Sequence, residues 1–316
     1  MEAVIDLGLD IPQTIEQLTE TIRTYLLDEE AQGLANYQRI FGPQWLKNFG
    51  VTPEMIAEMR AGLSNDHFAE KIIAIAGQFL VSNEQFLKEL DKAHIQWGLV
   101  SSDDCEAAMR FVALAPDIIK VSFAGDPRAG MKGVQALERA VRDFGFSALN
   151  VDAFYSGIPA SDAIFFPFYA KAAELNIPVF IYTAMNYRTD LPMDIAHPIH
   201  VDRVAMSFPQ LKLVASCGGW PWVPDMVGVA RRHRNVFINT RSHRPKYLAT
   251  AGSGWEMLMQ FGNTLLQDQI VFSSGSEELG LPVSVLVEEV KALPLKETVI
   301  EKWLHHNAEK LFSKDC

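Results

Sequence analysis

The sequence predicts an α/β chain folded as a (β/α)8 TIM barrel with a helical insertion after the first strand. Three observations predict it. Eight short runs rich in apolar and β-branched residues recur along the 316-residue chain. Amphipathic helical stretches separate those runs. No glycine-rich GxGxxG turn follows the first run, so the mark of an open dinucleotide-binding sheet is missing. Strict alternation of strand and helix implies parallel strands joined by right-handed crossovers. Eight such units suit closure into a barrel. A doubly wound open sheet is the rival arrangement.

The predicted strands are Ala3-Val4-Ile5, Trp97 to Val100, Ile118 to Phe123, Ser147 to Val151, Val179 to Tyr182, Lys212 to Ala215, Val236 to Ile238 and Ile270 to Phe272. The helix over Ser82 to Ala93 opens on an N-cap, Ser82, with Gln85 three residues on, the pattern of a capping box. Further helices are predicted over Gly130 to Phe144, Asp162 to Leu175, His200 to Ser207, Pro221 to His233, Lys246 to Phe261 and Leu281 to Ala292. Residues 11–95 form the insertion, with helices over Ile15 to Leu27 and Pro53 to Glu58. On a barrel, an insertion after the first strand joins the loops that carry function. Its aromatic turn, Phe41-Gly42-Pro43-Gln44-Trp45, reads as a lid or dimer contact, or as a decoration packed on the outside. With no repeat, low-complexity tract or linker, residues 1–316 read as one domain.

Composition narrows the function. Hydrophobic residues make up 48% of the chain, enough for a large core without disulfides. Cys105, Cys217 and Cys316 form no CxxC pair, which suits a reducing cytoplasm. No signal peptide and no membrane-length apolar run is legible. The net charge is −11, and the basic string Arg231-Arg232-His233-Arg234 sits at a predicted helix end, where cations suit the dipole. Nucleic acid and membrane are therefore not expected as partners; a small-molecule substrate is.

Several blocks then carry a family likeness. They are Phe165 to Val179, His197-Pro198, Phe208 to Val214, Gly218-Gly219-Trp220-Pro221-Trp222, Asn235-Val236-Phe237 and Asn307 to Phe312. With Val4-Ile5-Asp6 at the start, their order resembles the amidohydrolase-related family of metal-dependent aromatic-acid and aminocarboxymuconate-semialdehyde decarboxylases. The resemblance implies a barrel, a homodimer through the helical insertion, and a divalent metal held by HxH after strand one, histidines after strands five and six, and an aspartate after strand eight. This sequence departs at each ligand position: Gly8 and Asp10 stand for HxH, Tyr182 and Cys217 for the two histidines, and Gly275 for the aspartate. Asp10 and Cys217 are chemically able to ligate, but zinc wants three or four ligands. No metal or other cofactor is expected. A rearranged site using His243, Glu277 or Asp152 is the lesser alternative.

Candidate catalytic residues are Tyr182, His243, Cys217 and Asp10. Tyr182, at the end of strand five, offers a hydroxyl to an oxyanion or fills the space of a lost ligand. His243 offers acid–base chemistry near neutral pH. Cys217 is a thiolate nucleophile if a cation lowers its pKa, with Gly218 and Gly219 as an oxyanion hole, or else a pocket-lining residue. Asp10 is a base or a partner for Arg241. Candidate substrate-binding residues are Arg241, a carboxylate clamp, with Asn150, Asp152, Trp220, Ser274, Glu277 and Lys120. Lys120 forms a Schiff base or holds a carboxylate only if it points inward from strand three. His197 and His200 read as a helix start, and His305 and His306 need no role.

Two readings follow. The first is a metal-independent enzyme, lyase or hydrolase, acting on a small aromatic or polyketide-like carbonyl or carboxylate compound by decarboxylation or hydrolytic C–C cleavage. The loop aromatics Phe123, Phe154, Tyr155, Tyr187 and Trp220 suit a planar ligand. The second is a catalytically inactive homologue that binds a ligand or partner.

Overall fold

The computed structural model describes residues 3–27, 36 and 51–313; the Phe41–Trp45 turn lies outside them. Seven parallel strands pair in chain order. They are β1 (Val4–Asp6), β2 (Ile95–Ser102), β3 (Ile119–Phe123), β4 (Ala148–Val151), β5 (Val179–Tyr182), β6 (Leu213–Ser216) and β7 (Val236–Ile238). The sheet curls until its edges meet through residues 269–272. On one side Ile238 N donates to Gln269 O (2.8 Å) and Val271 N to Ile238 O (3.0 Å). On the other, Leu7 N donates to Phe272 O (3.0 Å). The eighth predicted strand is thus a bridging segment rather than a regular strand. The C-terminal helical segment competes for its backbone: Phe272 N donates to Trp303 O (2.9 Å), and Asn307 Nδ2 donates to Ile270 O (2.6 Å).

Side chains on a strand alternate faces with period two. The inward row packs Ile5, Leu7, Trp97, Leu99, Ala148, Phe180, Val214, Phe237 and Val271 into one buried cluster. Burying each large apolar side chain here contributes about 1.5–3 kcal/mol. Two residues further along β4 to β7, the same row becomes polar: Asn150, Tyr182, Ser216 and Asn239. The barrel interior is therefore apolar through its middle and polar at the strands' C-terminal ends.

The surrounding helices follow the predicted order with shifted limits. The capping box is present: Ser82 N donates to Gln85 Oε1 (2.9 Å) and Gln85 N to Ser82 Oγ (3.2 Å). The helix expected over Lys246 to Phe261 shrinks to Glu256–Gly262, after a 3-10 turn at Pro245–Tyr247. Gly252 and Gly254, at φ 79° and 86°, hold the intervening chain in a conformation no helix contains. Helices Cys105–Val112 and Glu297–Glu301 were not legible in the apolar pattern.

Residues 12–88 and 186–193 form a separate compact unit, and the barrel residues form the other. The smaller unit has its own core of Leu18, Ile22, Phe68, Ala69, Ile72 and Ala76 on helices Ile15–Leu27 and Asn65–Ala76. Among the described residues, no helix is long and apolar enough to cross a membrane.

Candidate active site at the barrel mouth

Tyr182, Cys217 and Gly275 all fall at the C-terminal end of the barrel, as the sequence predicts. Asn239 organises the loops there. Fully buried one residue past β7, it accepts two backbone hydrogens on Oδ1, from Cys217 N and Arg241 N, each at 3.1 Å. This fixes the loop after β6 to the loop after β7 and launches the Arg241 side chain across the mouth.

Arg241 is held from two sides. Its Nη2 donates to Asp10 Oδ1 at 2.5 Å and to Glu278 Oε1 at 3.1 Å, and its Nε donates to Glu278 at 3.3 Å. Ser242 Oγ donates to Glu278 Oε2, and Glu277 N donates to Asp10 Oδ2 at 3.2 Å. Nη1 makes no hydrogen bond among the described residues. Burial pulls the guanidinium towards neutrality, but Asp10 and Glu278 more than offset this and keep it charged. Burial pushes the Asp10 carboxyl up against the pull of Arg241. For Glu278, burial acts upward too, yet Arg241 and the Ser242 hydroxyl carry the net shift downward.

Gly8 and Gly275, two of the positions where the family resemblance implies ligands, lie against this cation. A Cβ on Gly8 would lie 1.9 Å from Ser273 Oγ and 3.0 Å from Arg241 Nη1. At Gly275, where φ is 58°, it would lie 2.8 Å from Glu278 Oε2 and 3.0 Å from Arg241 Cγ. A side chain at Gly8 would first displace Ser273, and one at Gly275 would displace Glu278 in a backbone conformation that favours glycine. Beneath them, Asp6 Oδ1 accepts Gly8 N (3.0 Å) and Ser274 N (2.9 Å). Asp6 Oδ2 is buried without a partner among the described residues, and burial raises the carboxyl to about 6.

A divalent metal does not fit this donor set. Of the five ligand positions two are glycine, Asp10 is engaged by a guanidinium, and burial pushes the Cys217 thiol up to about 12. Tyr182 donates its hydroxyl to Met185 O at 3.4 Å. The Arg241 guanidinium instead occupies Asp10, the one carboxylate among those positions.

The remaining candidates divide. Cys217 lies with its Sγ 3.9 Å from Ser242 Oγ, and its burial opposes the thiolate that nucleophilic attack needs. Gly219 N donates to Thr183 O (2.8 Å), which removes it from the expected oxyanion hole. His243 sits between Trp220 and Trp255, with ring centroids 5.8 and 4.9 Å away. Burial lowers it to about 4, so at neutral pH it is an uncharged base. Asp152 faces the same charges and is raised by burial to about 6, although its Oδ1 accepts Phe154 N at 2.7 Å. Asn150 Nδ2 donates to Ser101 Oγ at 3.4 Å. Ser274 Oγ donates to Gly8 O at 3.3 Å and is committed to the backbone. Glu277 meets the network through its backbone N–H, while its neighbour Glu278 supplies the carboxylate.

Lys120 requires a correction. It points inward, but from the start of β3, at the opposite end of the barrel. Its Nζ lies over the Trp97 ring at 3.7 Å and near the C-terminal Phe312 ring at 5.8 Å. Sequence reasoning also missed Asn239, Ser242 and Glu278. Asn239 was findable by counting two residues from inward Phe237. The choice between Glu277 and Glu278 depended on where one helical turn points.

A curled sheet of seven parallel strands, closed by residues 269–272 and carrying polar side chains at its C-terminal end, is a TIM-barrel architecture. The Amidohydrolase family model matches residues 92–314, and the chain belongs to that family. A 2-keto-4-carboxy-3-hexenedioate hydratase from Sphingobium sp. is 25% identical over 136 residues, which are 36% of this chain and 40% of the hydratase. The match thus spans well under half of that relative. An uncharacterised TIM-barrel protein from Bordetella bronchiseptica superposes with a TM-score of 0.70 at 23% identity, over 98% of each chain. A 5-carboxyvanillate decarboxylase from Sphingomonas paucimobilis superposes at 0.64 and 14% identity, again over 98% of each.

Proposed function

We propose that this chain is a metal-independent lyase acting on a small planar carboxylic acid, by decarboxylation or by addition or loss of water. The observation that carries the reading is the Arg241 guanidinium seated among Asp10, Glu278, Gly8 and Gly275. Decarboxylation, hydration and hydrolytic C–C cleavage of a conjugated acid share one requirement: negative charge develops on an oxygen conjugated with the reacting carbon. A fixed cation in a site sheltered from water stabilises that charge. The Nη1 edge of Arg241 presents its N–H groups to such an oxygen, while the other edge is anchored by carboxylates. Trp220 and Phe154 supply apolar faces for a planar ligand. Proton transfer falls to Asp152, His243 and Tyr182. In decarboxylation the C–C bond breaks to release CO2, the electron pair stays on the substrate carbon, and an acid returns one proton to it. Relatives carrying decarboxylase and hydratase names support this class of chemistry.

The test is turnover of aromatic and unsaturated di- and tricarboxylic acids by chelator-treated protein, with Arg241→Ala beside it. Removing the cation should lower kcat by roughly 10²–10³-fold. Activity that appears only on adding a divalent metal, or a folded Arg241→Ala with full turnover, refutes the reading. The inactive-homologue reading has one observation in its favour, the saturation of one Arg241 edge by two carboxylates. Binding of these acids without turnover would select it.

A further inference from the structure

The opposite end of the barrel carries a second arrangement of ligating groups, unrelated to the mouth. Lys302–His306 forms a π-helical turn, a form that recurs at functional positions. It sets His305 Nδ1 3.2 Å from His306 Nδ1, although adjacent residues on a regular helix point apart. Glu309 Oε2, from the following helix Asn307–Phe312, lies 3.4 Å from the first nitrogen and 3.7 Å from the second. A tetrahedral zinc with bonds of about 2.0–2.2 Å has neighbouring donors roughly 3.3–3.6 Å apart. The three separations, 3.2, 3.4 and 3.7 Å, lie within about 0.1 Å of that range, so small side-chain adjustments make them one face of such a tetrahedron.

A fourth residue sets the protonation. Gln96 Oε1, on β2, lies 2.7 Å from His305 Nε2. An amide oxygen accepts, so His305 donates from Nε2 and leaves Nδ1 as the ring nitrogen facing His306 and Glu309. That outer-shell bond is the kind that orients metal-ligating histidines. Among the described residues this is the one group of three His, Cys, Asp or Glu side chains with ligand atoms all within 4.8 Å of one another.

We infer that His305, His306 and Glu309 form a zinc site, with water completing the shell and Gln96 orienting His305. It lies near the start of β2, on the face where barrels hold stability rather than chemistry, so the ion ties down the C-terminal helical segment. That segment also supplies Trp303 O and Asn307 to the closing strand segment.

The experiment is a titration of untagged, chelator-stripped full-length protein with Zn2+ by calorimetry, and with Co2+ by visible absorption. One ion per chain, a tetrahedral Co2+ band and a rise in Tm of several degrees at saturating Zn2+ are expected. His306→Ala, whose side chain is 60% exposed and whose loss leaves folding intact, should abolish all three, as should Glu309→Gln. Gln96→Leu should weaken binding about 10–100-fold. Zn2+ bound no tighter by wild type than by His306→Ala overturns the site. So does uptake that survives His306→Ala but is lost in Asp10→Asn, which would place the ion at the mouth and refute the metal-independent reading instead.

Discussion

The barrel contains an inward-pointing cation at each end, and the two are held in opposite ways. Arg241 at the mouth lies between carboxylates, Asp10 and Glu278. Lys120 at the floor lies against aromatic faces, Trp97 and Phe312. Carboxylates keep Arg241 ionised through partial burial. Burial lowers the Lys120 pKa, and no carboxylate among the described residues answers it. A guanidinium tied along one edge keeps its other N–H groups aimed and charged. An ammonium on an indole ring is a packing element whose charge is incidental. The difference separates a cation held by carboxylates at the barrel mouth from one that packs among core aromatics.

The largest expected break in this comparison is Arg241→Met. It strands Asp10 and leaves Glu278 without its cation, so unfolding free energy should fall by about 3 kcal/mol at neutral pH. This is the low end for a broken buried pair, because Glu278 is 47% exposed. Denaturation in urea checks it; a loss under 1 kcal/mol would mean that the network is ornamental.

Next in size is Asp6→Asn. Burial raises the folded pKa of Asp6 to about 6, above the roughly 3.9 of an unfolded aspartate. The native state therefore holds its proton more tightly, and stability falls as pH rises from about 4 to about 6. Asparagine keeps the Oδ1 acceptor for Gly8 N and Ser274 N and cannot ionise. The variant should match wild type near pH 4 and exceed it by roughly 2 kcal/mol at pH 7. Parallel stability-against-pH curves would show that Asp6 does not titrate in this window.

A smaller effect is expected of Gly8→Ala, whose Cβ meets Ser273 Oγ and the Arg241 guanidinium. Overpacking of this kind costs about 1–3 kcal/mol. The low end, about 1 kcal/mol, is expected here because Ser273 Oγ has no hydrogen bond among the described residues to lose. Much of it should vanish in the Gly8→Ala/Ser273→Gly pair, measured as a double-mutant cycle; strict additivity would remove the steric account.

The smallest effect sharpens the comparison from the other side. Lys120→Met keeps the apolar stem and loses a contact worth about 0.5–2 kcal/mol, offset by relief of charge burial. Stability should change by less than about 1 kcal/mol, and ligand binding at the mouth should not change. A mouth defect in this variant would mean that the two ends communicate.

Strand and helix alternation, the limits of β5 and β7 and the Ser82–Gln85 capping box were all legible in the sequence, because each is set by residues a few positions apart. The residue types at Gly8, Asp10, Tyr182, Cys217 and Gly275, where the family resemblance implies metal ligands, are likewise read directly from the sequence. Tertiary structure alone decided the rest. Asp10 and Arg241 stand 231 residues apart, and only ring closure brings them within hydrogen-bonding distance. The parity and depth of Lys120 depended on strand register, and the choice of Glu278 over Glu277 on the direction of a single turn. Burial of Cys217 and His243 moved a thiol and an imidazole out of the ionisation range their residue types suggest. The eighth strand lost its regular ladder because Trp303 and Asn307 claimed its hydrogen-bonding groups. Periodicity is a property of neighbours along the chain, whereas charge, protonation and hydrogen-bond competition are sums over neighbours in space.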